Sequence, residues 1–193
     1  GSMQVRNAAT LGGNIANGSP IGDSPPALIA LGASIILNQG GKHRKMPIEN
    51  FFLKYGIQDR QPGEFIESIE IPKTESNLKC YKISKRFDQD ISAICGCFSV
   101  TFTKNKVKTA RIAFGGMAEI PKRAVLTETS LIGRVWSDET ISHAMEELDK
   151  DFNPISDLRA SAEYRKLTAK NLLQKYYLEV KALETNTDVL RVV

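Results

Sequence analysis

The 193-residue chain is short of the residues that most active sites are built from: it has three cysteines, two histidines and one tryptophan. Cys80, Cys95 and Cys97 form no Cys-x-x-Cys pair and no iron–sulfur spacing. An odd number of thiols without that pair points to reduced cysteines in a cytoplasmic protein. Cys95 and Cys97 alternate on an expected strand, share one face and read as core. His43 and His143 lie far apart with no ligand pattern, and both read as surface residues. No apolar run approaches the roughly 20 residues of a membrane span, and no signal-peptide pattern is visible. Neither the Gly-x-Gly-x-x-Gly fingerprint nor a Gly-Lys-Ser/Thr loop occurs. Glu64, Glu67, Glu70, Asp88 and Asp90 stand with no histidine or nucleophile in a recognisable order, so they read as surface ion pairs. Chemistry, if present, belongs to a cofactor.

The totals describe a folding chain: 41% hydrophobic and 25% charged, long enough for one domain or two small ones. The net charge of +4 is spread along the sequence, which does not indicate nucleic-acid binding.

The most distinctive stretch runs from Gln4 to Pro26. Gly12 and Gly13 remove two successive Cβ atoms, so the chain is expected to take positive φ there and expose its amides. Thr10, Asn14, Asn17 and Ser19 add short donors and acceptors. Adjacent exposed amides make a concave anion site of the kind that holds a phosphate. Asp23 is placed to cap a helix opened by Pro25-Pro26 and continued by residues 27–31. The same residues equally suit a turn-rich loop with a helix cap.

Thr10-Leu-Gly-Gly-Asn-Ile15, followed by Ser19-Pro-Ile-Gly-Asp23, closely resembles the second flavin-contacting segment of the molybdenum hydroxylases. That family includes xanthine dehydrogenase, aldehyde oxidase and the medium subunit of carbon monoxide dehydrogenase. Ser84-Lys-Arg-Phe-Asp-Gln-Asp-Ile-Ser92, the stretch Ala113 to Ala124 and Arg159-Ala-Ser-Ala-Glu-Tyr-Arg-Lys166 match in the same order. The likeness covers most of residues 4 to 180 and is strongest to the xanthine dehydrogenase flavin subunit.

The resemblance implies FAD. By position, Ala9, Thr10, Gly12, Gly13, Asn14 and Asn17 would line the diphosphate and adenosine path, and Asp23 would bond a cofactor hydroxyl. Ile66 falls where the family has an apolar residue beside the flavin or adenine, and Lys82 where a cation nears the isoalloxazine edge. Without the resemblance Lys82 is a solvated strand lysine. Arg86 and Asp90 would shape that edge, and no residue is assigned as catalytic. The implied enzyme passes electrons from iron–sulfur clusters through FAD to NAD, in purine catabolism. The iron–sulfur and molybdenum cofactors would sit on other chains or domains. The flavin subunit of a carbon monoxide dehydrogenase or aldehyde oxidoreductase, or a non-catalytic assembly module without FAD, are the alternatives.

The family's first glycine-rich half-domain has no counterpart here, so the chain is expected to be a truncated piece of a longer flavin subunit. It is then expected to be FAD-free or weakly binding, inactive alone and apt to self-associate through an uncovered apolar face. Gly1 to Met3 reads as a tag remnant. The expected fold is α+β: the second half of a PCMH-type FAD-binding domain over residues 4–75, then a carboxy-terminal domain over 76–183, with 184–193 as a tail. In the first unit, strands are expected at residues 33–37, 43–48 and 65–71, with a short helix from Pro47 through Phe52. In the second, strands are expected at 80–84, 91–103 and 107–114. Helices are expected from Pro121 to Leu131, after a Ser137 cap, and along a stripe from Ala162 to Val180. Two or three strands covered on one face by helices are anticipated for this part.

Overall fold

The computed structural model describes residues 3–73, 78–87 and 89–185. Residues 1–2, Asp88, and most of the expected 73–78 boundary and of the expected tail from 184 onward lie outside the described residues.

The first unit opens with two short helices, α1 (Met3–Ala8) and α2 (Leu11–Asn17), then α3 (Ser24–Leu31). Strands β1 (Ser34–Gln39), β2 (Lys42–Pro47) and β5 (Phe65–Glu70) form a three-stranded antiparallel sheet in the order β2-β1-β5. The Pro47 helix shrinks to one 3-10 turn, Ile48–Asn50. Phe52 instead enters a small hairpin of β3 (Phe52–Lys54) and β4 (Ile57–Gln58) that the sequence reading missed. Ile15, Leu28, Ile29, Ile35, Leu37, Ile48 and Phe51 close this core.

The second unit is a four-stranded antiparallel sheet: β6 (Lys79–Ile83), β7 (Ile94–Thr103), β8 (Lys106–Gly115) and β9 (Lys122–Arg123). Lys104 and Asn105 both take positive φ, giving the two-residue hairpin whose twist suits β7 and β8. Val107 and Ala110 are both core because the register slips between Thr101 and Phe102. Pro121 starts no helix, because Lys122 and Arg123 pair with Phe114 and Ala113 as β9. Helix α4 (Val125–Leu131) begins only after them, followed by α5 (Asp138–Asp151), capped by Ser137, and α6 (Ala162–Thr185). On α6 the buried stripe runs through Ala169, Leu172, Leu173, Tyr176, Tyr177 and Val180. At its first turn the buried residue is Arg165, with Ala162 only half-buried.

The α+β expectation holds, but the sheet has four strands and both faces are covered. Helices α4 to α6 pack on one face around Phe98, Phe114 and Trp136. Helix α3 lies on the other, with Ala30 against Cys95 and Cys97. This is why residues 94–100 are buried without alternation. Arg111 on β8 locks the arrangement: its guanidinium donates to the Ile29 carbonyl at 2.7 and 2.9 Å and to Glu49 at 2.7 Å. Among the described residues no helix is long and apolar enough to cross a membrane.

Candidate functional site

Gly12 and Gly13 do not form the expected positive-φ loop. They are the second and third residues of α2, and neither is among the positive-φ glycines. Thr10 supplies the reason. As N-cap its Oγ1 accepts the Gly13 N–H at 3.1 Å, which turns the stretch into a helical start. A Cβ on Gly13 would stand 2.7 Å from that oxygen, so glycine at 13 is what leaves room for the cap. Asp23 departs from expectation too. It precedes α3 in helical backbone and makes no side-chain cap bond.

The Asp23 carboxylate turns instead to the second unit. Lys82 Nζ donates to its Oδ2 at 2.6 Å, and Ser92 Oγ donates to its Oδ1. Ser92 is almost fully buried, so the pairing is anchored on the sheet side. Asn14 Oδ1 accepts the Ser24 hydroxyl, which leaves the Asn14 amide donors for another partner. Asp90 folds the loop beyond: it accepts from the Arg86 and Ile91 amides, each at 2.9 Å. The Arg86 amide first, then that of Ile91, holds the Asp90 carboxyl below its ordinary range, against some desolvation.

Helix α2 divides eight of the nine sequence-predicted residues between two grooves. Asn14, Asn17, Asp23 and Lys82 line one of about 590 Å³, with Ser19, Gly22, Ser92, Val5, Phe87 and Ile91. Thr10, Gly12, Gly13 and Ile66 line a second of about 610 Å³ on the far side, with Arg60, Phe65 and Glu67. Ala9 lines neither, and its amide donates to the Val5 carbonyl at 2.8 Å. The sequence reading missed Ser92 and Phe87, although both lie in the quoted stretch from Ser84 to Ser92. It also missed Arg60, for which a lone arginine in a polar turn gave no signal.

The first groove carries the groups that a dinucleotide with a ring system would use. Carboxamides, hydroxyls, an ammonium and a carboxylate suit phosphate and sugar hydroxyls. Val5, Ile21 and Ile91 offer apolar wall, and Phe87 is 104% exposed. Leu11 and Phe65 are likewise exposed beside the second groove. Apolar side chains left open around polar ones mark a surface made to be covered.

The chain resembles known proteins along most of its length. Residues 79–180 match the CO dehydrogenase flavoprotein C-terminal domain, and residues 1–74 match the FAD binding domain in molybdopterin dehydrogenase. The chain is 37% identical over 201 residues to a xanthine dehydrogenase of Dictyostelium discoideum, covering 92% of this chain and 14% of that protein. It is 32% identical over 180 residues to the glyceraldehyde dehydrogenase medium chain of Sulfolobus acidocaldarius, covering 93% of this chain and 64% of that one. The carbon monoxide dehydrogenase structure from Hydrogenophaga pseudoflava superposes with a TM-score of 0.85 at 26% identity, over 90% of this chain and 61% of that chain. The quinoline 2-oxidoreductase of Pseudomonas putida 86 gives 0.82 at 25% identity, over 92% and 62%. The chain therefore spans less than two-thirds of each of these relatives.

Proposed function

Because the chain belongs to the flavoprotein family of the molybdopterin dehydrogenases, we propose that it forms one wall of the FAD site in a xanthine dehydrogenase-like hydroxylase. The observation that carries this reading is the Asp23–Lys82–Ser92 constellation, which spans both units at the floor of a groove sized for a cofactor. FAD, when bound, supplies electron transfer between one-electron and two-electron partners. The chain's own residues bind and orient. Lys82 uses one N–H on Asp23 and keeps two for a ligand. Asp23 retains lone pairs for a hydroxyl. The pair is close to neutral, so the field it offers a reduced ring is that of a dipole rather than the bare cation of the sequence expectation. Thr10 and Gly12 shape the far side of α2 for the rest of the cofactor.

The same reading places iron–sulfur and molybdenum domains as electron sources, NAD as acceptor and a purine as substrate, in the cytoplasm. The xanthine dehydrogenase relatives and the three free thiols support it. Both grooves are open and edged by exposed apolar side chains, so this chain alone holds FAD weakly and needs a second wall. The test is a flavin fluorescence titration of the chain alone and fused to the complementary half of a family flavin domain. Tight binding only by the fusion supports the proposal. No binding by either refutes it and leaves a non-catalytic assembly module.

A further inference from the structure

Three thiols gather on the face of the four-stranded sheet that α3 covers. Cys95 and Cys97 are buried there against Ala30, with Ala27 and Leu78 at the margin. Cys80 lies on the edge strand β6 and is exposed. The antiparallel register sets Cys80 directly opposite Cys97, and Lys82 directly opposite Cys95. Tyr81 and Ile83 pack into the core on the α6 side, so Cys80 and Lys82 share the α3 side with the buried cysteines. Directly opposed residues on one face bring Cβ atoms to about 4.5–5.5 Å. A disulfide needs Cβ atoms at about 3.5–4.5 Å, so rotation of the two sulfurs toward each other with a small approach of β6 to β7 forms the bond, with no slip of register.

The two thiols are unequal. Hydrogen bonding with Cys97 pulls the Cys80 thiol below its ordinary range, against partial burial. The Cys97 thiol is pushed up by that same contact, by its contact with Cys95 and by burial. An exposed thiol with more thiolate character beside a buried, reluctant one is the division of labour between an attacking and a resolving cysteine.

We propose that Cys80 and Cys97 form a reversible dithiol–disulfide site, oxidised by a hydroperoxide that enters at Cys80 and is resolved by Cys97. The Cys80 thiolate attacks one peroxide oxygen, the O–O bond breaks, and Cys80 sulfenic acid and hydroxide result. Cys97 then attacks the Cys80 sulfur, the S–O bond breaks, and the leaving hydroxide takes the Cys97 proton as water. Two thiols lose two electrons, which reduce the hydroperoxide. A small dithiol reverses the change. Cys95 stays out: its thiol faces the Asp23 carbonyl at 4.0 Å, on the buried side. The site therefore lies two residues from Lys82 on the same strand face, and closing it pins β6 to β7 beside the Asp23–Lys82 pair.

The experiment treats the reduced 193-residue chain with a small excess of hydrogen peroxide, then counts thiols and maps peptides without reductant. Free thiols should fall from three to one, with a single cross-link between the peptides holding Cys80 and Cys97, and dithiothreitol should restore all three. In Cys97→Ser, Cys80 should stop at sulfenic acid and take up dimedone. Cys95→Ser should leave the cross-link in place. A cross-link between Cys95 and Cys97, or oxidation of Cys80 no faster than of Cys95, overturns the proposal. The mapping of the unsubstituted chain decides the matter even if a variant folds poorly.

Discussion

Lys82 Nζ rests 2.6 Å from Asp23 Oδ2, and this contact joins the edge strand of the second unit to the segment that leads into α3 of the first. Each side chain is about one-third exposed, at 33% and 31%. A pair that open adds less than about 1 kcal/mol to stability. Its value is positional: it holds an ammonium and a carboxylate at the floor of the groove. Lys82→Met should therefore shift the melting temperature little while weakening flavin binding to the completed site by about tenfold, or about 1.4 kcal/mol. Paired thermal melts and flavin titrations of the fused protein check this. A large melting loss with unchanged flavin affinity would make the pair a structural tie only.

The longer strands, the long helices and the family motifs were legible in the sequence because each rests on local pattern. Examples are the compact apolar run at residues 33–37, the Ser137 cap and the spacing from Ile141 to Leu148 on α5. The site was legible only as a set of names. Thr10 converts Gly12-Gly13 from an expected loop into a helix start, and that depends on a hydroxyl rotamer. Asp23 abandons its cap for Lys82 and Ser92, 59 and 69 residues away, a pairing that no short-range rule reports. Likewise β9 displaces the start of a helix because a partner strand happens to lie beside Lys122 and Arg123.

The two adjacent glycines separate folding from binding. A Cβ on Gly12 meets nothing nearer than the Ile66 carbonyl, at 4.0 Å, and projects beside the second groove. Gly12→Ala should raise stability by about 0.5 kcal/mol through helix propensity, yet reduce flavin affinity of the completed site. Gly13→Ala should gain nothing, because its Cβ displaces the Thr10 hydroxyl and the lost cap costs about 1 kcal/mol. Urea unfolding of both variants, with flavin titration, compares them. If Gly12→Ala binds flavin as well as the parent, the second groove is not on the cofactor's path.

Trp136 is the only tryptophan, and its indole Nε1 is buried with no partner among the described residues. Its ring still packs edge-on against Phe102 and Tyr176. Trp136→Phe removes an unsatisfied donor along with some apolar area, so it should cost less than about 1.5 kcal/mol. Trp136→Ala keeps no ring and should cost about 3–5 kcal/mol. Denaturant curves followed by circular dichroism measure both. Equal losses would mean that the indole N–H has an acceptor after all.

Arg165 gives the fold its clearest acid sensitivity. Its side chain is 2% exposed, and Nη2 donates to both Asp157 oxygens at 2.9 Å. Its Nε donates to the Ala93 carbonyl at 3.0 Å, which ties the start of α6 to the approach to β7. Burial raises the Asp157 carboxyl, but the Arg165 guanidinium, then the Arg159 and Ala160 amides, outweigh it and leave the group below its ordinary range. A carboxyl depressed on folding contributes stability that is present above its unfolded value of about 3.9 and is lost as pH falls through the folded value. Asp157→Asn strands a buried guanidinium and should cost about 3 kcal/mol at neutral pH. That gap should narrow below about pH 4, as the parent carboxylate takes up its own proton. Unfolding free energies of parent and variant from pH 7 to pH 3 test it. A gap that stays constant across the range would mean that the loss comes from repacking of the 157–160 turn and not from the charge.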